Sequence, residues 1–160
     1  MNLLVTGGSG LVGSSITADF KPGRDELDLM EFDEIVDYIE ENEITHIIHC
    51  AARVGGIKAN MEHLGEFFYE NITINSNVLE AARVCGVNKV VSFMSTCVFP
   101  DDATYPLSPD QIHKGEPHSS NYAYAYAKRM LEVQSRAYRE QYGCNFVTVI
   151  PCSKREWYRL

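Results

Sequence analysis

The sequence predicts an α/β fold in which an open, mostly parallel sheet carries helices on both faces, a doubly wound arrangement. Two observations support it: short apolar runs alternate with segments of helical periodicity along the chain, and the first apolar run ends in a glycine-rich turn. The chain has 160 residues, of which 45% are hydrophobic and 22% charged. This length and composition are typical of one globular unit with a single core.

Four short apolar segments are predicted to be buried strands, because parallel strands that are covered on both faces appear as nearly continuous apolar runs. They are residues 2–6, 45–51, 88–95 and 145–151. In such sheets the ligand lies outside the carboxyl ends of the strands. We therefore expect functional residues directly after these four segments.

Four segments between the strands are predicted to be helical, namely 11–20, 31–43, 56–86 and 122–142. The second has Phe32, Ile35, Val36 and Ile39 at amphipathic spacing. Glycines follow the third and fourth, as expected where a helix ends.

In the last helical segment, Met130, Val133 and Ala137 form the predicted apolar stripe, and Arg129 falls outside it. The proline-rich segment 100–121 before this helix is longer than an ordinary connection, so we expect a binding or lid element there.

Composition excludes several functional classes. Fourteen Lys and Arg against 22 Asp and Glu give a net charge of −8, which disfavours nucleic-acid binding. No apolar stretch approaches the roughly 20 residues that span a bilayer, and the first residues do not resemble a signal peptide, so we expect a cytoplasmic protein. Five cysteines without a CxxC pair predict neither a disulfide framework nor a metal site.

Gly7, Gly10 and Gly13 form a G-x-x-G-x-x-G pattern between the first strand and the first helical segment. This context is typical of dinucleotide binding, since glycines let the backbone approach a pyrophosphate and a helix N-terminus faces it. The alternative is a glycine turn selected only for its tightness.

Tyr124 and Lys128 lie one helical turn apart, so the ammonium is expected to lower the pKa of the phenol towards neutrality and make it a proton carrier. Ser95 ends the third strand, where it could bind the same substrate oxygen. Taken singly, the alternatives are a surface Tyr–Lys pair and a turn serine.

Together with the glycine motif, these residues and four longer segments resemble the extended short-chain dehydrogenase/reductase superfamily, in its nucleotide-sugar-modifying branch. The segments are HCAARVGGIKAN (49–60), NITINSNVLEAA (71–82), STCVFP (95–100) and QYGCNFVTVIP (141–151). The resemblance implies a Rossmann-type fold and an NADPH-dependent conversion of GDP-4-keto-6-deoxy-D-mannose to GDP-L-fucose, by 3,5-epimerisation and then hydride transfer to C4. A dehydratase or C4 epimerase is disfavoured, because dehydratases of this branch carry Thr with Asp-Glu where this sequence has Ser95-Thr96-Cys97.

The resemblance also implies catalytic roles. Ser95, Tyr124 and Lys128 would form the reductase triad, with Tyr124 giving the proton to the C4 oxygen and Lys128 also holding the nicotinamide ribose. Cys97 would be the epimerisation base, a role that a thiol near a cationic lysine can fill if it ionises near neutrality.

The cofactor implied is NADP(H). Arg24 would bind its 2′-phosphate, although Asp19 and Glu26 keep an NAD-type site open. Asp28 and Leu29 would contact the adenine, and Asn71 or Asn75 would support the site. The other implied contacts are Gly7, Gly10, Leu11, Val12, Gly13, Ala51, Ala52, Val54 and Lys128.

The sequence departs from this family in two places. Residues 14–23 are too few for a full helix and the following strand. Family members also continue after residue 151 into a substrate domain, so we expect a truncated fold with an NAD(P)-binding domain over 1–151 and a divergent tail over 152–160. The resemblance further implies a GDP-sugar substrate and a homodimer formed through helices 57–85 and 122–142. The alternative function is a catalytically silent module that binds cofactor or dimerises.

Overall fold

The computed structural model describes residues 1–151; the predicted tail, 152–160, lies outside the described residues. Within this range, strands and helices alternate as predicted. The strands are β1 (Leu3–Thr6), β2 (His46–His49), β3 (Lys89–Phe93) and β4 (Phe146–Val149). The helices are α1 (Phe32–Glu41), α2 (Ile57–Glu62), α3 (Leu64–Val84) and α4 (Tyr122–Tyr142).

All four strands are parallel and lie in the order β1–β2–β3–β4. The register aligns Leu4, Ile47, Val90 and Phe146 in one row across the sheet, and all four side chains are buried. Each strand follows its predecessor on the same side of the sheet, and right-handed crossovers between such strands place all their helices on one face. Accordingly, the buried residues of α1, α3 and α4 join this row in one core.

On the other side of β1, Phe20 forms a parallel bridge with Leu4. The Val5 N–H donates to the Phe20 carbonyl at 2.9 Å, and the Phe20 N–H donates to the Leu3 carbonyl at 3.1 Å. The direction of winding therefore reverses at β1, as in a Rossmann-type sheet, and the switch point lies where β1 ends. The sheet has the predicted parallel, doubly wound order, although its second face is much less covered: Ile48 and Val91 there are only half-buried.

The helix predicted over 11–20 is wrong; only one turn of 3-10 helix forms there, at Gly13–Ser15. The thirteen residues from Gly7 to Asp19 must bring the chain back beside Leu4, and a helix reaching Phe20 would leave none for the return.

Side chains close this shortened connection instead. The Lys21 ammonium donates to the carbonyls of Ile16 at 2.7 Å and Ser14 at 3.4 Å, and the Asp19 carboxylate accepts the Leu3 N–H at 2.9 Å.

The remaining elements match their predictions with local changes. The segment predicted as one helix over 56–86 is two helices, α2 and α3, separated at His63. α4 has the predicted bounds and ends at Gly143, whose φ of +71° suits glycine. The predicted apolar stripe of α4 is not the face that the helix buries, because Ala137 is exposed while Arg129 is buried.

The segment 100–121 is packed rather than open. It contains a 3-10 turn at Pro109–Gln111, buries Ile112, and is held by the Gln111 side-chain amide, which bonds the backbone of Thr104 and Pro106. In the part of the chain that the structure describes, no helix is long and apolar enough to cross a membrane, and no cluster of His, Cys, Asp and Glu could hold a metal ion.

Candidate active site

The glycine loop at the end of β1 has no room for side chains at two of its motif positions. A Cβ on Gly13 would lie 2.3 Å from the Gly7 carbonyl oxygen, and a Cβ on Gly7 would lie 2.7 Å from the Ala51 backbone nitrogen. Gly7 also has a φ of +69°. The motif therefore has a steric basis: it lets the loop fold on itself and against the segment after β2.

This loop borders a cleft of about 830 Å³, within the size range of small-molecule and cofactor sites. Three segments supply most of the lining of the cleft, namely the glycine loop, the turn 22–30 and the segment 50–54, and Glu70 and Ile74 of α3 complete it. Every residue predicted to contact the cofactor lies along it except Lys128. They are Gly7, Gly10, Leu11, Val12, Gly13, Arg24, Asp28, Leu29, Ala51, Ala52 and Val54.

Arg24 lies at the rim of the cleft, where its side chain is 76% exposed and 3.6 Å from the Asp28 carboxylate. The two carboxylates that kept an NAD-type site open are bound elsewhere. Asp19 accepts the Leu3 N–H, and Glu26 accepts the Gly23 N–H at 2.8 Å. Arg24 is thus the cationic side chain that the turn 22–30 presents to the cleft.

Asn71 on α3 holds the segment after β2 in place through two side-chain hydrogen bonds. Its side-chain oxygen accepts the Arg53 N–H at 3.0 Å, and its side-chain nitrogen donates to the Arg53 carbonyl at 3.0 Å. The Arg53 guanidinium pairs with Glu66 at 2.7 Å and with Glu70, and lies over the Phe67 ring. Asn71 has the predicted supporting position, whereas the role of Arg53 was not predicted.

Asn75, the other predicted support, belongs to a buried hydrogen-bond chain through His49. Because the Asn75 side-chain nitrogen donates to the Ala127 carbonyl at 3.1 Å, its oxygen must accept from His49 Nε2, at 3.0 Å. His49 Nδ1 then accepts from the Thr6 hydroxyl at 2.7 Å. Burial, with the nearby charge of Lys128, lowers the pKa of His49 to about 3, so the ring is neutral. These hydrogen bonds therefore connect Thr6, directly before the glycine loop, with Ala127, directly before Lys128.

The predicted catalytic residues meet at the carboxyl ends of β3 and the start of α4. Lys128 is 2% exposed, and its ammonium donates to the Phe93 carbonyl, at the end of β3, at 3.1 Å. Ser95 begins the 3-10 turn Thr96–Val98, and its hydroxyl oxygen accepts the Cys97 N–H at 3.5 Å. Tyr124 lies one turn before Lys128, close enough to Cys97 for a charge there to raise the pKa of the phenol.

The pKa shifts correct two predictions. Burial raises the pKa of Tyr124, and a charge on Cys97 would raise it further, so the phenol is not shifted towards neutrality. Burial also raises the pKa of Cys97, although the Ser95 hydroxyl and the charges of Lys128 and Arg129 act in the opposite direction. Burial lowers the pKa of Lys128 to about 8. The structure thus presents a protonated phenol and a thiol beside buried cations.

Lys128 also connects this group of residues with the cleft, because its charge acts on Cys50, which lines the cleft. Cys50, Cys85, Cys97 and Cys144 are half-buried free thiols.

A parallel sheet with its switch point at a glycine loop, and a Ser, Tyr and Lys at the end of β3 and the start of α4, define an NAD(P)-binding α/β protein. Residues 3–154 match the NAD dependent epimerase/dehydratase family, and the chain belongs to that family.

Among its relatives, the chain is 49% identical to GDP-L-fucose synthase of Dictyostelium discoideum over 93% of its own length and 50% of that protein. It is 31% identical to GDP-L-fucose synthase of Escherichia coli strain K12, over 93% of the chain and 49% of that protein.

A solved structure, a GDP-L-fucose synthetase from Naegleria fowleri bound to NADP, superposes with a TM-score of 0.83 at 40% identity, covering 93% of this chain and 49% of that one. The chain spans about half the length of the curated relatives it matches.

Proposed function

We propose that this chain carries the cofactor-binding and reductase site of an NADPH-dependent epimerase-reductase that converts GDP-4-keto-6-deoxy-D-mannose to GDP-L-fucose. The observation that carries the proposal is the position of Tyr124 and Cys97 near the buried Lys128. The charge of Lys128 also acts on Cys50, which lines the cleft beside the glycine loop. The GDP-L-fucose synthases among its relatives support the same reaction.

The cleft fits a dinucleotide. Side chains at Gly7 and Gly13 would fill the turn that borders it, so the loop backbone itself is free to lie against a pyrophosphate. When bound, NADPH supplies the hydride. Because only one 3-10 turn follows the loop, phosphate binding is assigned to the loop backbone rather than to the end of a full helix.

Arg24 supports NADP(H) over NAD(H). Its guanidinium is exposed at the rim, where it can form paired hydrogen bonds with a 2′-phosphate. Asp19 and Glu26, which could otherwise bind ribose hydroxyls, already accept backbone N–H groups.

The catalytic residues divide the proton transfers between them. Cys97 removes a proton from a carbon beside the ketone during epimerisation, and the enolate that forms is reprotonated on the opposite face of the sugar. Tyr124 then gives its phenolic proton to the C4 oxygen as that oxygen becomes a hydroxyl, and Ser95 donates a hydrogen bond to it. The raised pKa of Tyr124 keeps the phenol protonated until charge develops on the substrate oxygen.

Turnover by the purified chain tests this proposal. The chain is mixed with NADPH and GDP-4-keto-6-deoxy-D-mannose, the loss of NADPH absorbance is followed, and the product is identified. Tyr124→Phe should abolish GDP-L-fucose formation, whereas Tyr122→Phe, which alters an exposed tyrosine on the same helix, should not.

Absence of turnover by a folded chain that still binds NADPH would instead support the second candidate, a silent cofactor-binding module. One observation favours an assembling role: the stripe Met130, Val133 and Ala137 on α4 is partly exposed. We therefore also propose a cytoplasmic homodimer formed through residues 57–85 and 122–142. Light scattering should show a dimer for the parent and a monomer for Ala137→Glu, while Arg136→Glu serves as the control for added negative charge.

A further inference from the structure

Arg129 is a buried guanidinium directly after Lys128, and the proposed reaction gives it no role. The residue is 3% exposed. Its Nε donates to the Val98 carbonyl at 2.7 Å, its Nη1 donates to the Gly115 carbonyl at 2.8 Å, and the group lies 5.1 Å from the centre of the Tyr126 ring. One side chain thus holds both the turn Thr96–Val98 and the segment 100–121 against α4.

Among residues 1–151 no carboxylate forms an ion pair with Arg129, and its buried Nη2 has no hydrogen-bond partner. A buried cation without a counter-charge costs several kcal/mol. Such a group is understandable where negative charge forms during function.

The turn that carries Cys97 lies against this cation, because the carbonyl that Arg129 binds belongs to the next residue, Val98, and the charge of Arg129 acts to lower the pKa of the thiol. The groups that act on the thiol are Ser95 on its own turn and Lys128 and Arg129 on α4. A charge on the thiol acts in turn on Tyr124, and Cys50, after β2, acts on Lys128. Lys128 and Arg129 are the two positive charges in this set.

We propose that Arg129 is a positioning residue for Cys97 that fixes the Thr96–Val98 turn and supplies the lasting positive charge beside the thiolate. The proposal rests on the function proposed above, in which Cys97 is the epimerisation base.

The two cations differ in how long they stay charged. Burial lowers the pKa of Lys128 to about 8, so part of its charge is lost just where a thiol begins to ionise. Burial lowers the pKa of Arg129 as well, but a guanidinium is so strong a base that it remains protonated. Arg129 can therefore stabilise the thiolate at pH values where Lys128 is partly neutral.

The test is the pH dependence of Cys97 alkylation in the chain without substrate or cofactor. Serine replaces Cys50, Cys85, Cys144 and Cys152, so that Cys97 is the only thiol. Iodoacetamide is added between pH 6 and 10; the thiolate sulfur forms a bond to carbon, iodide leaves, and mass spectrometry gives the rate. Circular dichroism checks folding.

Arg129→Gln should raise the pH midpoint of alkylation by about one unit, which slows the reaction about tenfold below the midpoint. Arg129→Met is a second neutral variant, whose stem can still pack on Tyr126. Arg129→Lys should raise the midpoint less than Arg129→Gln does, because a buried lysine keeps only part of its charge there, and Arg136→Gln, an exposed cation on the same helix, should have no effect.

A folded neutral variant with the parent midpoint would overturn the proposal. If neither neutral variant folds, Lys128→Met decides, because the proposal assigns the lasting charge to Arg129: a midpoint raised by one unit on loss of Lys128 would also overturn it. The measurement needs no turnover, so a failure of the proposed function would appear in the turnover assay and not here.

Discussion

Replacing Gly13 by alanine tests the steric basis of the glycine loop. The added Cβ would lie 2.3 Å from the Gly7 carbonyl oxygen, 2.9 Å from its carbonyl carbon and 3.0 Å from the Cα of Gly8. These are backbone atoms, so the loop itself must move. Overpacking of this kind costs about 1–3 kcal/mol. If that cost falls on the loop conformation that binds the cofactor, Gly13→Ala should weaken NADPH binding about 5- to 150-fold.

Gly65→Ala is the matched control. Gly65 lies in the first turn of α3, and its Cβ would meet no atom within 4 Å. Alanine there should stabilise the chain by about 0.5–1 kcal/mol and leave binding unchanged. Fluorescence titration with NADPH and thermal unfolding measure the two effects. A Gly13→Ala chain that melts and binds NADPH like the parent would refute the steric argument.

Three further predictions concern side chains around the cleft. Lys21→Met should cost about 1 kcal/mol, because the carbonyl groups that the ammonium binds lose a donor, while Lys58→Met, whose ammonium lies 3.8 Å from the Glu62 carboxylate, should cost less; urea unfolding compares the two. Arg24→Ala should weaken NADPH binding about 10- to 100-fold and leave NADH binding unchanged, and equal losses for both would contradict the assignment. His49 titrates only in the unfolded chain between pH 6.5 and about 3, so its share of stability falls as the pH drops through that window. His49→Gln should therefore flatten the pH dependence of unfolding by about 1 kcal/mol per pH unit there.

The sequence predicted most of the fold because its signals are local. Four apolar runs correspond to four parallel strands, and a glycine at position 143 ends α4 where an αL residue is needed. The helix over 11–20 failed because its local pattern conflicts with chain closure: Phe20 has to return to Leu4. No window of ten residues contains that requirement.

The candidate site divides in the same way. The residues along the cleft could be predicted, since the glycine motif and the resemblance identify them by their positions in the sequence. His49 and Arg129 were not, because their partners are distant in sequence. His49 bonds a residue 26 positions away, and Arg129 bonds one 31 positions away. Arg129 resembles a solvated helix charge until the carbonyl of Val98 is placed beside it. The pKa errors at Tyr124 and Cys97 have a related cause, because spacing reveals neighbouring charges and does not reveal burial.

The hydrogen-bond chain through His49 has a consequence for how the molecule opens. It ties β1, β2, α3 and α4 together by Thr6, His49, Asn75 and the Ala127 carbonyl, without contact with solvent. Breaking any one bond leaves a buried polar group without a partner, so the four segments should separate together rather than one by one. Their core amides should exchange with deuterium as one slow set, later than those of α2. When the four segments separate, the glycine loop and the site around Lys128 would lose their relative positions in a single step.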